Sequence, residues 1–212
     1  MQILVAVASV FLTQGPGVAS SKLTPAGRAC AEARYSPDRG TKEAAPLCRK
    51  ACDAGDAYGC MLWGVLLQDG DGIAQDLPAA ARSFLSACDK GLADGCSLYA
   101  AALSNGVGLA KDKKKAAVFL QRACDAGSGS GCYALATLHV AGEGVKRDDA
   151  AAARLLRRGC DLGDTFGCFY LGRALVRGDG VPVDKKQGME LMVKACAKEN
   201  PPPQCADENF AR

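Results

Sequence analysis

The sequence predicts an all-α fold, a solenoid of αα-hairpin repeats, on three observations. Cys52, Cys88, Cys124, Cys160 and Cys196 recur every 36 residues, and Cys60, Cys96, Cys132 and Cys168 follow the first four at a constant interval of eight. Apolar residues between these cysteines fall three and four positions apart, the period of a helix with one buried face. Paired glycines punctuate every repeat where a helix must end. One such unit cannot bury its own apolar face, so stability has to come from stacked copies.

In chain order, Ile3 to Leu12 is an apolar run broken by Gly15-Pro16-Gly17 and followed by the small residues Val18-Ala19-Ser20. Residues 1–20 are therefore expected to be a signal peptide, although no Lys or Arg precedes the run. The run is too short to span a bilayer. Ala26-Gly27-Arg28-Ala29 before Cys30 does not read as a lipobox, so no lipid anchor is expected. Residues 21–51 are expected as an N-terminal capping half-repeat. Extending the interval backward places Cys30 in the column of Leu66, Ala102, Leu138 and Ala174, and Cys48 in that of Phe84, Leu120, Leu156 and Met192. These are inward columns of facing helices, which predicts a Cys30–Cys48 bridge.

Residues 52–195 read as four repeats of two helices. The first helix carries an inward stripe such as Cys60, Trp63, Gly64 and Leu67, or Cys168, Leu171, Gly172 and Leu175. Within it the column Gly64, Ala100, Ala136 and Gly172 is always small, which lets a neighbouring helix come close. The helix closes at Gly70/Gly72, Gly106/Gly108, Gly142/Gly144 and Gly178/Gly180, a pattern that helix termination alone accounts for. Asp76, Asp112, Asp148 and Asp184 are then placed to cap the second helix. The second helix ends at the first cysteine of each pair. The two cysteines thus sit on successive helices, and the bridges Cys52–Cys60, Cys88–Cys96, Cys124–Cys132, Cys160–Cys168 and Cys196–Cys205 would staple each repeat to the next, each contributing roughly 2.5 kcal/mol on loop-entropy grounds. Residues 196–212, with Pro201-Pro202-Pro203, cannot continue the helices and are expected as a C-terminal cap.

Twelve cysteines with one histidine and no CxxC pair fit disulfides better than zinc, so neither a metal nor a cofactor is expected. Disulfides persist in oxidising compartments, and together with the N-terminal run they predict a periplasmic or secreted protein. The net charge of +3 is too small to imply nucleic acid or a membrane surface as partner. It is also uneven: residues 52–87 hold five acids and one arginine, whereas residues 88–123 hold six bases and three acids. Lys113, Lys114 and Lys115 are expected at a helix start on a solvated face.

The Cys-Asp-x-Gly-x-x-x-Gly-Cys junction, Leu171-Gly172, the Gly-x-Gly turn and the capping aspartate together resemble the Sel-like repeat family, a relative of the tetratricopeptide repeats, over about residues 24 to 205. The resemblance is greatest to its disulfide-rich branch, typified by the Helicobacter cysteine-rich proteins. It implies a right-handed superhelix whose first helices line a concave face, and a role in holding partners or assembling complexes. It also implies two alternatives, a β-lactam-binding or weakly β-lactam-hydrolysing protein, and a respiratory-complex assembly factor in an oxidising compartment.

Catalytic chemistry finds little support in the residues. No Ser-x-x-Lys or Lys-Thr-Gly occurs, and Gly127-Ser128-Gly129-Ser130-Gly131 lacks the Gly-x-Ser-x-Gly order of a nucleophile elbow. No catalytic residue is expected. His139 stands in a column of leucines and reads as a core histidine with a local partner; Arg177-Gly178-Asp179 falls in a repeat turn. Binding is expected instead on first-helix positions beside the inward stripe, with Met61, Tyr133, Thr137, Phe169 and Arg173 as candidates. Tyr133 and Phe169 would offer apolar contacts, and Arg173 would meet a carboxylate of a protein or peptide partner. The chain is expected to be monomeric.

Overall fold

The computed structural model describes residues 23–35, 41–198 and 201–206. The expected signal peptide, residues 1–20, lies outside them. The described residues form ten α-helices, one short 3-10 helix and no strand. They fall into two compact units, Met1–Lys111 and Asp112–Arg212.

The first unit contains α1 (Pro25–Tyr35), α2 (Thr41–Asp53), α3 (Ala57–Asp69), α4 (Leu77–Asp89) and α5 (Ala93–Asn105). Each helix packs on its chain neighbour. Residues 25–53 thus form a complete helix pair, and Cys30 and Cys48 are bonded across it with their Cα atoms 4.6 Å apart. Both are fully buried in a core shared with Ala33, Ala44, Ala51, Leu62 and Leu66. Asp56 caps α3 by accepting from the Gly59 N–H at 2.6 Å, and its other oxygen accepts from the Thr24 hydroxyl at 2.6 Å. One buried carboxylate therefore ties the start of α1 to the start of α3, with its charge met by three donors.

The second unit contains α6 (Lys113–Asp125), α7 (Gly129–Ala141), α8 (Asp149–Asp161), α9 (Thr165–Arg177), α10 (Lys185–Cys196) and the 3-10 helix Pro203–Ala206. Lys114 and Lys115 are exposed, while Lys113 is half-buried and forms an ion pair with Glu143. Second helices begin as the sequence predicts: Asp112, Asp148 and Asp184 accept from the N–H three residues on, at 2.9, 2.8 and 2.9 Å. First helices end on left-handed glycines, with Gly142 at φ 68° and Gly178 at φ 81°.

Six disulfides connect consecutive elements within the two units, and no described cysteine is free. In the four short pairs the Cα atoms lie 4.2 to 4.6 Å apart. The glycine before the second cysteine permits that approach. A Cβ on Gly59 would stand 2.5 Å from the Ala51 Cβ, and one on Gly95 2.6 Å from the Ala87 Cβ.

Helix termination does not account for the whole Gly-x-Gly turn. Its first glycine ends the helix, but the second presses against the opening turn of the preceding second helix. A Cβ on Gly108 would lie 2.2 Å from the Leu77 carbonyl oxygen, on Gly144 2.4 Å from that of Lys113, and on Gly180 2.1 Å from that of Asp149. The second glycine is therefore a packing joint between repeats. Its reason is space as well as backbone angle.

Candidate functional site

Three of the five binding candidates converge in the second unit. Tyr133 and Thr137 of α7 and Arg173 of α9 line a cleft of about 250 Å³ whose floor is α8. Ala152, Ala153 and Leu156 of α8, joined by Ala136 of α7 and Ala174 of α9, make that floor aliphatic, and Val140 stands at its edge, 49% exposed. The other two candidates lie elsewhere. Met61 belongs to the first unit, where it packs beside the core of α1, α2 and α3. Phe169 must be corrected: it is 2% exposed and packs with Met192 and Ala195 of α10. A helix advances 100° per residue, so the neighbouring Tyr170 faces the cleft in its place.

Tyr170 organises the site. Its ring stacks on Tyr133 with centroids 5.4 Å apart, and Tyr133 also leans on Phe166 at 5.5 Å. The Arg173 guanidinium carbon lies 4.4 Å from the Tyr170 centroid, a cation–π contact. Phe166, Tyr133, Tyr170 and Arg173 form one ladder of contacting groups. Burial and the nearby Tyr170 phenol push the Tyr133 hydroxyl up to about 12, so it stays protonated at physiological pH. Thr137 is exposed and donates to the Ala134 carbonyl at 2.7 Å.

Charge lines the rim in pairs. Arg147 holds Asp149 through two contacts, Nε to Oδ1 at 3.2 Å and Nη2 to Oδ2 at 3.1 Å, while Asp179 stands nearby at the end of α9. Arg147, Asp149, Asp179 and Tyr170 were not among the candidates. The first three lie in turns and caps that the repeat explains without function. Tyr170 was legible in principle, because Tyr170 and Arg173 are three apart on one helix.

A wider hollow of about 610 Å³ opens beside Trp63, lined by Leu67, Ile73, Leu77 and Pro78. Its polar side chains are already engaged, Asp76 in capping α4 and Gln75 in donating to the Gln68 carbonyl at 2.7 Å. It offers no convergent polar groups, and the cleft over α8 is the better candidate. The serine-glycine segment is structural too: Ser128 accepts from the Gly131 N–H at 3.1 Å and so caps α7. His139 is half-buried, and its Nδ1 has no hydrogen-bond partner, contrary to the expected local partner.

Helix pairs repeating at 36 residues, small residues at their contacts and an open side-chain cleft between successive first helices define an αα-hairpin repeat protein. The Sel1 repeat family model matches residues 57–92, 93–128, 129–164 and 165–200, and the chain belongs to that family. Its fold is similar to a Sel1 repeat protein from Oxalobacter formigenes, with a TM-score of 0.77 at 24% identity over 82% of this chain and 72% of the other. It is also similar to c5321, a protective antigen of uropathogenic Escherichia coli with an SLR fold, with a TM-score of 0.74 at 25% identity over 82% of this chain and 37% of that one. Cysteine rich protein B of Helicobacter pylori is 33% identical over 59% of this chain and 91% of its own, with a TM-score of 0.49. Among curated proteins, none matches the chain in sequence.

Proposed function

We propose that the chain is a periplasmic or secreted interaction scaffold, acting as a monomer, that holds an extended segment of a protein or peptide partner in the cleft between α7 and α9. The observation that carries this reading is the cleft itself. The aliphatic floor, the aromatic ladder and the Arg173 guanidinium meet there in a space that the repeat's own side chains leave open. An apolar floor with a few placed polar groups is the usual composition of a binding site. The six disulfides support the oxidising location, since such bonds are rare in reducing compartments. No described helix is long and apolar enough to cross a membrane.

A photo-crosslinking side chain at Thr137, introduced in the native compartment, tests the reading. An adduct is expected from Thr137, reduced by Arg173→Glu and absent when the crosslinker replaces the exposed Val118 of α6. Equal crosslinking from Thr137 and Val118 would show that the cleft has no special role.

A further inference from the structure

The two guanidiniums of the cleft are not equivalent. Arg147 is already matched by Asp149 through its two-pronged contact. Arg173 rests on the Tyr170 ring, and it forms no ion pair with any described carboxylate. A guanidinium held over an aromatic ring and engaged by no carboxylate keeps N–H donors for a fork that fits a carboxylate edge. The platform beneath it is held in turn, because Tyr170 stacks on Tyr133 and Tyr133 leans on Phe166. The donor fork is therefore set before a ligand arrives, which lowers the ordering cost of binding.

The surroundings restrict what can accompany that carboxylate. The floor of Ala136, Ala152, Ala153, Leu156 and Ala174 presents no side-chain polar atom. A cleft of about 250 Å³ is smaller than the roughly 300–1,000 Å³ of pockets for drug-sized ligands, so it suits one side chain better than a whole small molecule. Arg147 neutralises Asp149, and Asp179 leaves that part of the lining with one net negative charge, so Arg173 is the guanidinium left to meet an incoming carboxylate.

Building on the assignment of the cleft as a peptide site, we propose that it selects a partner segment in which one small or aliphatic side chain adjoins an acidic group. The side chain lies on the alanine floor, and the acid is taken by Arg173 on its Tyr170 platform. Arg173 is then the specificity-determining residue of the site.

Selection of a displayed random-peptide library on the oxidised full chain tests this, followed by affinity measurements on the selected peptides. Selected sequences should pair Asp or Glu with Ala, Val or Leu. Arg173→Gln should weaken them about 10- to 100-fold, the range for losing a hydrogen-bonded charge contact. Arg177→Gln, which removes the same charge at the exposed end of α9, should leave affinity unchanged. Replacing the peptide's acid by its amide should cost wild type the same factor and cost Arg173→Gln nothing further. Peptides that crosslink from Thr137 yet carry no acid, or that bind Arg173→Gln as well as wild type, would overturn the inference while leaving the cleft a peptide site. Recovery of no peptide, or only of peptides that do not crosslink from Thr137, would overturn both.

Discussion

Replacing Gly180 by alanine separates two reasons for glycine that the repeat places side by side. Gly180 has φ 70° and Gly163 has φ 87°, so alanine at either site meets the same left-handed backbone penalty of about 1–2 kcal/mol. The surroundings differ completely. Around Gly163 an added Cβ meets nothing within 4 Å, whereas at Gly180 it would stand 2.1 Å from the Asp149 carbonyl oxygen and 2.6 Å from the Ala150 nitrogen. Those atoms belong to backbone and cannot rotate away. Relief requires shifting the first turn of α8, and overpacking of this kind costs about a further 1–3 kcal/mol. Gly163→Ala should therefore lower Tm by roughly 2–8 °C and Gly180→Ala by roughly 4–20 °C, at about 2–4 °C per kcal/mol for a chain of this size. Thermal unfolding followed by far-ultraviolet circular dichroism on the oxidised proteins reads the difference. Equal losses at the two sites would refute the packing argument and return the Gly-x-Gly turn to helix termination alone. The contact also bears on the site, because it fixes the turn that carries Asp179 against the start of α8.

Removing the Cys30–Cys48 bond with paired alanines should cost about 3 kcal/mol, by the loop-entropy estimate for its separation of 18 residues, and should appear as a loss of Tm under non-reducing conditions. Burial raises the Asp164 carboxyl above its usual value, against an opposing hydrogen bond from Gly167. A folded-state pKa above the unfolded one means the folded state binds more protons, so this group makes stability fall as pH rises through the carboxylate range. Asp164→Asn keeps a capping oxygen and should flatten that part of the pH–stability curve; an unchanged curve would contradict the burial argument. Tyr133→Ala, at a ring packed on Phe166 and Tyr170, should destabilise the second unit by at least about 1–3 kcal/mol from its two ring contacts, whereas Arg173→Glu should cost only its cation–π contact, about 0.5–1 kcal/mol. Chemical denaturation of the two variants decides whether they play these different parts.

The repeat architecture was legible because its causes are local and recur. A capping aspartate, a helix-closing glycine and a cysteine pair each act within a few residues, and four copies make the pattern visible. Extending the interval also paired Cys30 with Cys48, which no motif would have linked. The site was legible only in part. Tyr133, Thr137 and Arg173 follow from asking which first-helix columns the core leaves free, but Phe169 occupies the same column as Tyr133 and is buried. The difference lies in what packs against it: α10 brings Met192 and Ala195 onto Phe169, whereas α9 brings Phe166 and Tyr170 alongside Tyr133. A column assigns a direction along the helix and not the neighbour it meets. The rim charges were hidden for a related reason, since Arg147 and Asp179 lie in turns and Asp149 opens α8, and their meeting across 32 residues depends on how the second unit packs.

Whether the cleft is a binding surface or part of the folding core is decided by Arg173→Glu. Its affinity for a peptide selected on the wild-type chain should be measured together with its Tm, in the oxidised state. Affinity should be at least about tenfold weaker, a loss of some 1.4 kcal/mol, with Tm lowered by no more than about 4 °C, what losing the cation–π contact with Tyr170 costs. Retained affinity, or a loss of binding matched by a large fall in Tm, would contradict the binding role.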